Sequence, residues 1–142
     1  ALPISVETGR DGYGTIFVFS AGNSRTSGDN VNHHNYQNAR ETVTVASVAQ
    51  DDTISSFSTP GAAILVAAYG ESIFTTDRLG SDGMNTAPGD AGDYTSFGGT
   101  SAAAPEVSAI VALMLEANPN LGYRDVQAIL AHSARHPDSA SW

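Results

Sequence analysis

The chain has 142 residues, 41% hydrophobic and 15% charged, a length and balance that suit one folded domain with a core and exclude a disordered polymer. Its net charge of −9 argues against a nucleic-acid partner. The absence of cysteine excludes disulfides and leaves the redox compartment open.

No stretch is predicted to reach membrane-spanning length, because the longest apolar run is interrupted by Ser108 and flanked by Glu106 and Glu116. The opening Ala1-Leu2-Pro3-Ile4 lacks the charged start and apolar centre of a leader peptide, so it reads as a mature start or as the start of a piece of something longer. Residues 1–14 end in a glycine-punctuated turn, Thr8-Gly9-Arg10-Asp11-Gly12-Tyr13-Gly14. Thr15-Ile16-Phe17-Val18-Phe19 is short, β-branched and aromatic, and predicts a buried parallel strand. It closes on Ser20-Ala21-Gly22-Asn23, small residues that leave room for a ligand at a strand's carboxyl end.

Residues 24–40 are polar and too long for a mere connection, which predicts a functional or ion-held loop. A second strand is predicted over residues 42–49 and a third over 64–68, with 72–76 as a hairpin arm. Residues 77–96 are rich in Gly, Asp and Ser and read as a surface loop; their carboxylates do not have EF-hand spacing, and solvated charge accounts for them. Gly98-Gly99 then delivers Thr100 and Ser101 to the start of a helix reaching about Ala117, apolar almost all round and so predicted to be buried on every side. Pro105 fits only because it lies near the helix start. Asn118-Pro119 ends this helix, and an amphipathic one runs from about Tyr123 to Ala134. It has Val126, Ile129 and Leu130 on one face, with Gly122 as N-cap, Asp125 in the first turn, and His132, Arg135 and His136 at the cation-favouring end. Residues 137–142 read as a frayed end or a passage into further chain.

A serine at a helix N-terminus sits where developing negative charge is favoured, which makes Ser101 a candidate nucleophile; as an ordinary cap it needs no further role. Acyl transfer also needs a base, a group orienting that base, and donors for the oxyanion. The Ser101 N–H and the side-chain amide of Asn23 are candidate donors, although an asparagine at a strand end is as readily a turn residue. No base is assigned: His132 and His136 read as helix C-terminal cations, and His33 and His34 as surface residues or weak metal ligands.

These residues resemble the subtilases, the subtilisin-like serine proteases, and within them the kexin/furin branch. Gly98-Gly99-Thr100-Ser101-Ala102-Ala103-Ala104-Pro105 looks like the serine motif, and Ile16-Phe17-Val18-Phe19-Ser20-Ala21-Gly22-Asn23 like the oxyanion strand. Leu115-Glu116-Ala117-Asn118-Pro119-Asn120-Leu121 and Arg124-Asp125-Val126-Gln127 look like the branch's run after the serine, and Gly28-Asp29-Asn30 and Tyr36-Gln37-Asn38 match its loop in part. The resemblance implies an α/β, parallel-sheet, three-layer α/β/α fold present as a partial domain. Residues 1–142 would be the C-terminal portion of a catalytic domain whose N-terminal half, with the Asp and His of the triad, is absent.

The same resemblance implies that Ser101 is the nucleophile of a serine endopeptidase and that Asn23 serves the oxyanion. Ser20, Ala21 and Gly22 would form one wall of the substrate cleft, with Thr100 bordering the first subsite, and Asp29 would be a ligand of structural Ca²⁺. It departs at three positions: His34 stands where the branch has an acid, Thr59 where it has a glutamate ligand, and Val31 where it has a cysteine. Implied partners are a peptide or protein substrate, the missing N-terminal half, a propeptide or a C-terminal accessory domain, with neither nucleic acid nor membrane, in a secreted or periplasmic setting. The piece alone is expected to be inactive. The competing expectations are a non-catalytic subtilase-like domain that binds peptide, and a calcium-held structural module.

Overall fold

A computed structural model of the chain describes residues 2–87 and 92–136. Ala1, residues 88–91 of the Gly/Asp-rich loop and the expected tail at 137–142 lie outside the described residues.

The chain opens on a helix that the sequence reading does not anticipate, α1 (Leu2–Thr8). Pro3 occurs where its missing N–H costs nothing, and Val6 is buried. The following turn needs left-handed backbone at Arg10 and Asp11 (φ 51° and 57°). The turn places the Arg10 guanidinium over three carbonyls: its Nη1 donates to Gly14 (3.1 Å) and Leu121 (3.0 Å), its Nη2 to Pro119 (2.8 Å). The first turn of the chain is thereby fastened to the bend between the two C-terminal helices.

Three parallel strands follow in spatial order β1 (Phe17–Ser20), β2 (Thr42–Val48), β3 (Ile64–Tyr69). All three predicted strands are present, each within about two residues of the expected ends. β2 is the most buried because it lies between the other two, and its Thr-Val-Thr-Val alternation serves two faces. Val43 and Val45 pack under the helices with Ala103, Val107, Val111, Val126 and Leu130. Thr42 and Thr44 face the other way, where their hydroxyls satisfy the carbonyls of Tyr36, Ala39 and Gln37 in the long loop. β1 is only half-buried, not enclosed as predicted, because among the described residues it pairs along one edge alone.

The arm at β4 (Ile73–Thr76) pairs antiparallel with β5 (Tyr94–Phe97). Part of the stretch read as loop is therefore a strand, which Phe74 and Tyr94 reinforce by stacking at 5.5 Å. α2 (Thr100–Ala117) carries a stripe of Thr100, Ala103, Val107 and Val111 down onto the sheet. The prediction of burial on every side fails: Ile110 is 49% and Leu113 66% exposed. A single sheet covers one stripe of a helix, and the rest of this apolar surface has no second layer among the described residues. At 18 residues α2 also meets the length and composition of a membrane span, contrary to the sequence reading, but its stripe is already occupied by β-strands. α3 (Tyr123–Ser133) buries Val126 and Leu130 while Ile129 lies largely in solvent. The Gly122 N–H donates to Asp125 Oδ2 at its start (2.9 Å). Arg135, expected to complement the helix end, instead pairs with Asp52 (2.6 Å).

Candidate active site

The carboxyl end of β1 and the amino end of α2, 77 residues apart in the chain, meet at one point. Asn23 follows β1 directly, with Gly22 at φ 101°, a left-handed conformation that turns the chain out of the sheet. Asn23 Oδ1 accepts from the Thr100 N–H (2.9 Å) and from the Thr100 hydroxyl (2.9 Å). The same hydroxyl oxygen accepts the Gly22 N–H at 3.1 Å. With its amide oxygen fixed by two donors, Asn23 keeps its Nδ2–H groups for something else, and its side chain is exposed.

The close approach needs Gly99. This residue has φ 103°, and a Cβ there would lie 2.9 Å from Asn23 Nδ2. Gly99 is itself held down by its N–H donating to the Gly70 carbonyl at the end of β3 (2.7 Å). Of the unpaired donors of the first helical turn, Thr100 N–H is taken by Asn23 and Ala102 N–H by the Gly99 carbonyl (2.9 Å). The Ser101 N–H lies between them, and the Ser101 side chain is exposed. Ser101 and Asn23 therefore flank one helix N-terminus, where the backbone dipole favours negative charge.

The other residues singled out from the sequence divide. Ser20 and Gly22 are partly accessible, while Ala21 is fully buried, its N–H donating to Val45 (2.9 Å). Gln37 Nε2 reaches the Ser20 carbonyl at 3.4 Å. Thr100 is fully buried, so its hydroxyl lies inside the protein and does not border an open subsite. Its positioning of Asn23 is a role the sequence reading did not see; a hydroxyl residue directly before the candidate serine was its only signal.

An open groove of about 590 Å³ runs between the β4–β5 hairpin and the first turns of α2, lined by Ile73, Thr95, Phe97, Ala102 and Glu106. Burial pushes the Glu106 carboxyl above its ordinary value, partly offset by the Tyr69 backbone. No histidine hydrogen-bonds to Ser101 among the described residues. His34 is held by Asp29, and His132 lies in the last turn of α3.

Asp29, expected as a cation ligand, has both carboxylate oxygens 3.0 Å from His34 Nε2, and Oδ1 also accepts the Asn30 N–H (2.8 Å). The hydrogen bond from His34 holds its pKa below the ordinary 3.8. Among the described residues no three His, Cys, Asp or Glu side chains converge. A hard cation asks for six to eight oxygens, and these donors do not fit one.

The family profile described as "Subtilase family" matches residues 3–141. The chain is 38% identical over 138 residues to kexin of Saccharomyces cerevisiae, covering 94% of this chain and 16% of that protein. It is 41% identical over 145 residues to a dibasic-processing endoprotease of Schizosaccharomyces pombe, covering 99% and 19%. A calcium-dependent protease of Trichormus variabilis is 36% identical over 151 residues, covering 97% and 22%. Among solved structures, the proteases from Pseudoalteromonas arctica superpose with a TM-score of 0.75 at 31% identity, over 92% of this chain and 39% of that one. The chain thus spans less than a quarter of the length of these curated relatives.

Proposed function

The chain belongs to the subtilase family of serine proteases, with relatives of the kexin type, and on that premise we propose that residues 1–142 are the C-terminal portion of a catalytic domain that carries the nucleophile and the oxyanion donors of an endopeptidase. The observation that supports this reading is the bond pair from Thr100 to Asn23 Oδ1, which ties Asn23 to the helix N-terminus that carries Ser101.

In this reading Ser101 Oγ attacks the carbonyl carbon of a peptide bond and its proton passes to a base. The carbonyl π pair moves onto oxygen, which accepts hydrogen bonds from Ser101 N–H and Asn23 Nδ2–H. The C–N bond then breaks, the leaving amine takes the proton back from the base, and the acyl group stays on Ser101 until water releases it. The base and the acid that orients it come from a preceding part of the same protein, as the family's order of Asp, His and then Ser implies; among the described residues no histidine hydrogen-bonds to Ser101. Residues 1–142 alone are therefore inactive. Ser20 and Gly22 form a wall of the cleft; Ala21 and Thr100 support it from beneath. The substrate is a peptide or protein, and the setting is secreted or periplasmic.

A non-catalytic peptide-binding domain of the same fold is the competing reading, and one experiment separates them. In the protein expressed from its complete reading frame, a fluorophosphonate probe labels Ser101, and Ser101→Ala abolishes both labelling and peptidase activity. Asn23→Ala lowers kcat by about 10²–10³, the loss known for such a donor in a subtilisin, with little change in KM. Absence of labelling in the natural sequence sinks the catalytic reading.

A further inference from the structure

In the loop beside the candidate site the oxygens of Asp29, Asn30 and Asn32 are taken up by protein donors. Asp29 gives both carboxylate oxygens to His34 Nε2 and one to the Asn30 N–H. Asn30 Oδ1 accepts the Asn32 N–H (2.9 Å), and Asn32 Oδ1 reaches across to the Ala63 N–H (3.1 Å). The Asn32 carbonyl takes the Asn38 amide (2.9 Å). Val31 is fully buried and donates its N–H to Pro60 (2.9 Å). The neighbouring Thr59 is fully buried too, its hydroxyl oxygen accepting the Ser24 N–H at 2.9 Å. Arg25 Nε adds a bond to the Ser58 carbonyl (2.9 Å). Residues 24–38 are thus fastened to residues 57–63 by N–H donors, and each of the side-chain oxygens of Asp29, Asn30 and Asn32 already accepts a hydrogen bond from the protein.

We propose that the Asp29–His34 hydrogen bond takes the place of a bound calcium ion in this loop, so that residues 24–38 hold their shape at the end of β1 without metal. The resemblance implies Asp29 as a calcium ligand; its hydrogen bonds to His34 and Asn30 in this chain favour the other reading. His34 Nε2, 3.0 Å from both Asp29 oxygens, occupies the carboxylate as a hydrogen-bonding group of the protein itself. The inference concerns this loop alone and stands whether or not Ser101 is a nucleophile.

Hydrogen exchange on the protein expressed from its complete reading frame tests it. Protection of residues 29–38 is followed relative to the β2 segment 42–48, in calcium and in EGTA. In the natural sequence the ratio of the two is expected to change less than about two-fold on EGTA, whereas His34→Ala and Asp29→Asn each speed exchange of 29–38 by about ten-fold. Calcium is expected not to restore protection in His34→Ala. A loop that opens in EGTA without any substitution, or a His34→Ala variant that stays protected or is rescued by calcium, overturns the proposal.

Discussion

Thr100 carries more of the site than its neighbour's chemistry suggests. Its hydroxyl is donor to Asn23 and acceptor for Gly22, in a position with no solvent to replace either bond. Thr100→Val keeps the shape and removes both bonds, leaving the partly buried Gly22 N–H without its partner. It is expected to cost about 1–3 kcal/mol of stability. It should also lower kcat more than it raises KM, because Asn23 loses one of the two donors that aim it. Thr100→Ser should restore most of both. Equal kcat in Thr100→Val and the natural protein would remove the positioning role. Glu106 gives the residue scale its pH dependence. Burial raises its folded pKa above the ordinary 4.5, so the folded state binds this proton more tightly than the unfolded chain does. The resulting stability is fully present below pH 4.5 and is lost as pH rises through the folded value. Glu106→Gln, which has no charge to bury, should therefore unfold at higher denaturant than the natural protein at neutral pH and at a similar concentration in acid. A midpoint difference that grows toward acid would contradict this.

The turn from β5 into α2 is the element on which the geometry depends. Gly99 is needed there twice, for a φ of 103° that other residues resist and for the space beside Asn23 Nδ2. Gly99→Ala is expected to reduce peptidase activity by more than it reduces stability, since the methyl group pushes on the Asn23 amide itself. Comparing kcat with the thermal midpoint in the same variant checks this. β2 shows the same economy: one alternating run feeds valines to the helical core and threonine hydroxyls to the loop carbonyls. The loop that bears Asp29 and His34 is therefore anchored to the strand behind Asn23.

At the scale of the whole molecule, the described chain is one helical layer on a three-stranded sheet, with apolar surface left over on α2. Leu113, 66% exposed, and Ile110, 49% exposed, lie on an 18-residue helix of core composition. The curated relatives are several times longer than this chain, and a further layer over that side is the prediction to test. Leu113→Asp tests it in the complete protein. A leucine facing solvent tolerates the change within about 0.5 kcal/mol, whereas one facing a second layer loses several kcal/mol and gives little folded protein, which a thermal melt distinguishes.

Local pattern by itself determined the strands, the α2 and α3 helices and the two candidate residues Ser101 and Asn23, because periodicity, small strand ends and Gly-Gly turns act over a few residues. Three features escaped it. α1 is seven residues long with Ile, Val and Thr, too short and too weak in propensity to announce itself. β5 becomes a strand only because β4 offers it an edge. The incomplete burial of α2 depends on how many layers surround it, which no helical pattern states. Only the tertiary structure decided that Thr100 lies inside and holds Asn23, and that Asp29 meets the His34 imidazole. Hydrogen-bond partners 77 residues apart are chosen by the path of the chain through the sheet, and that path is a property of the packed whole.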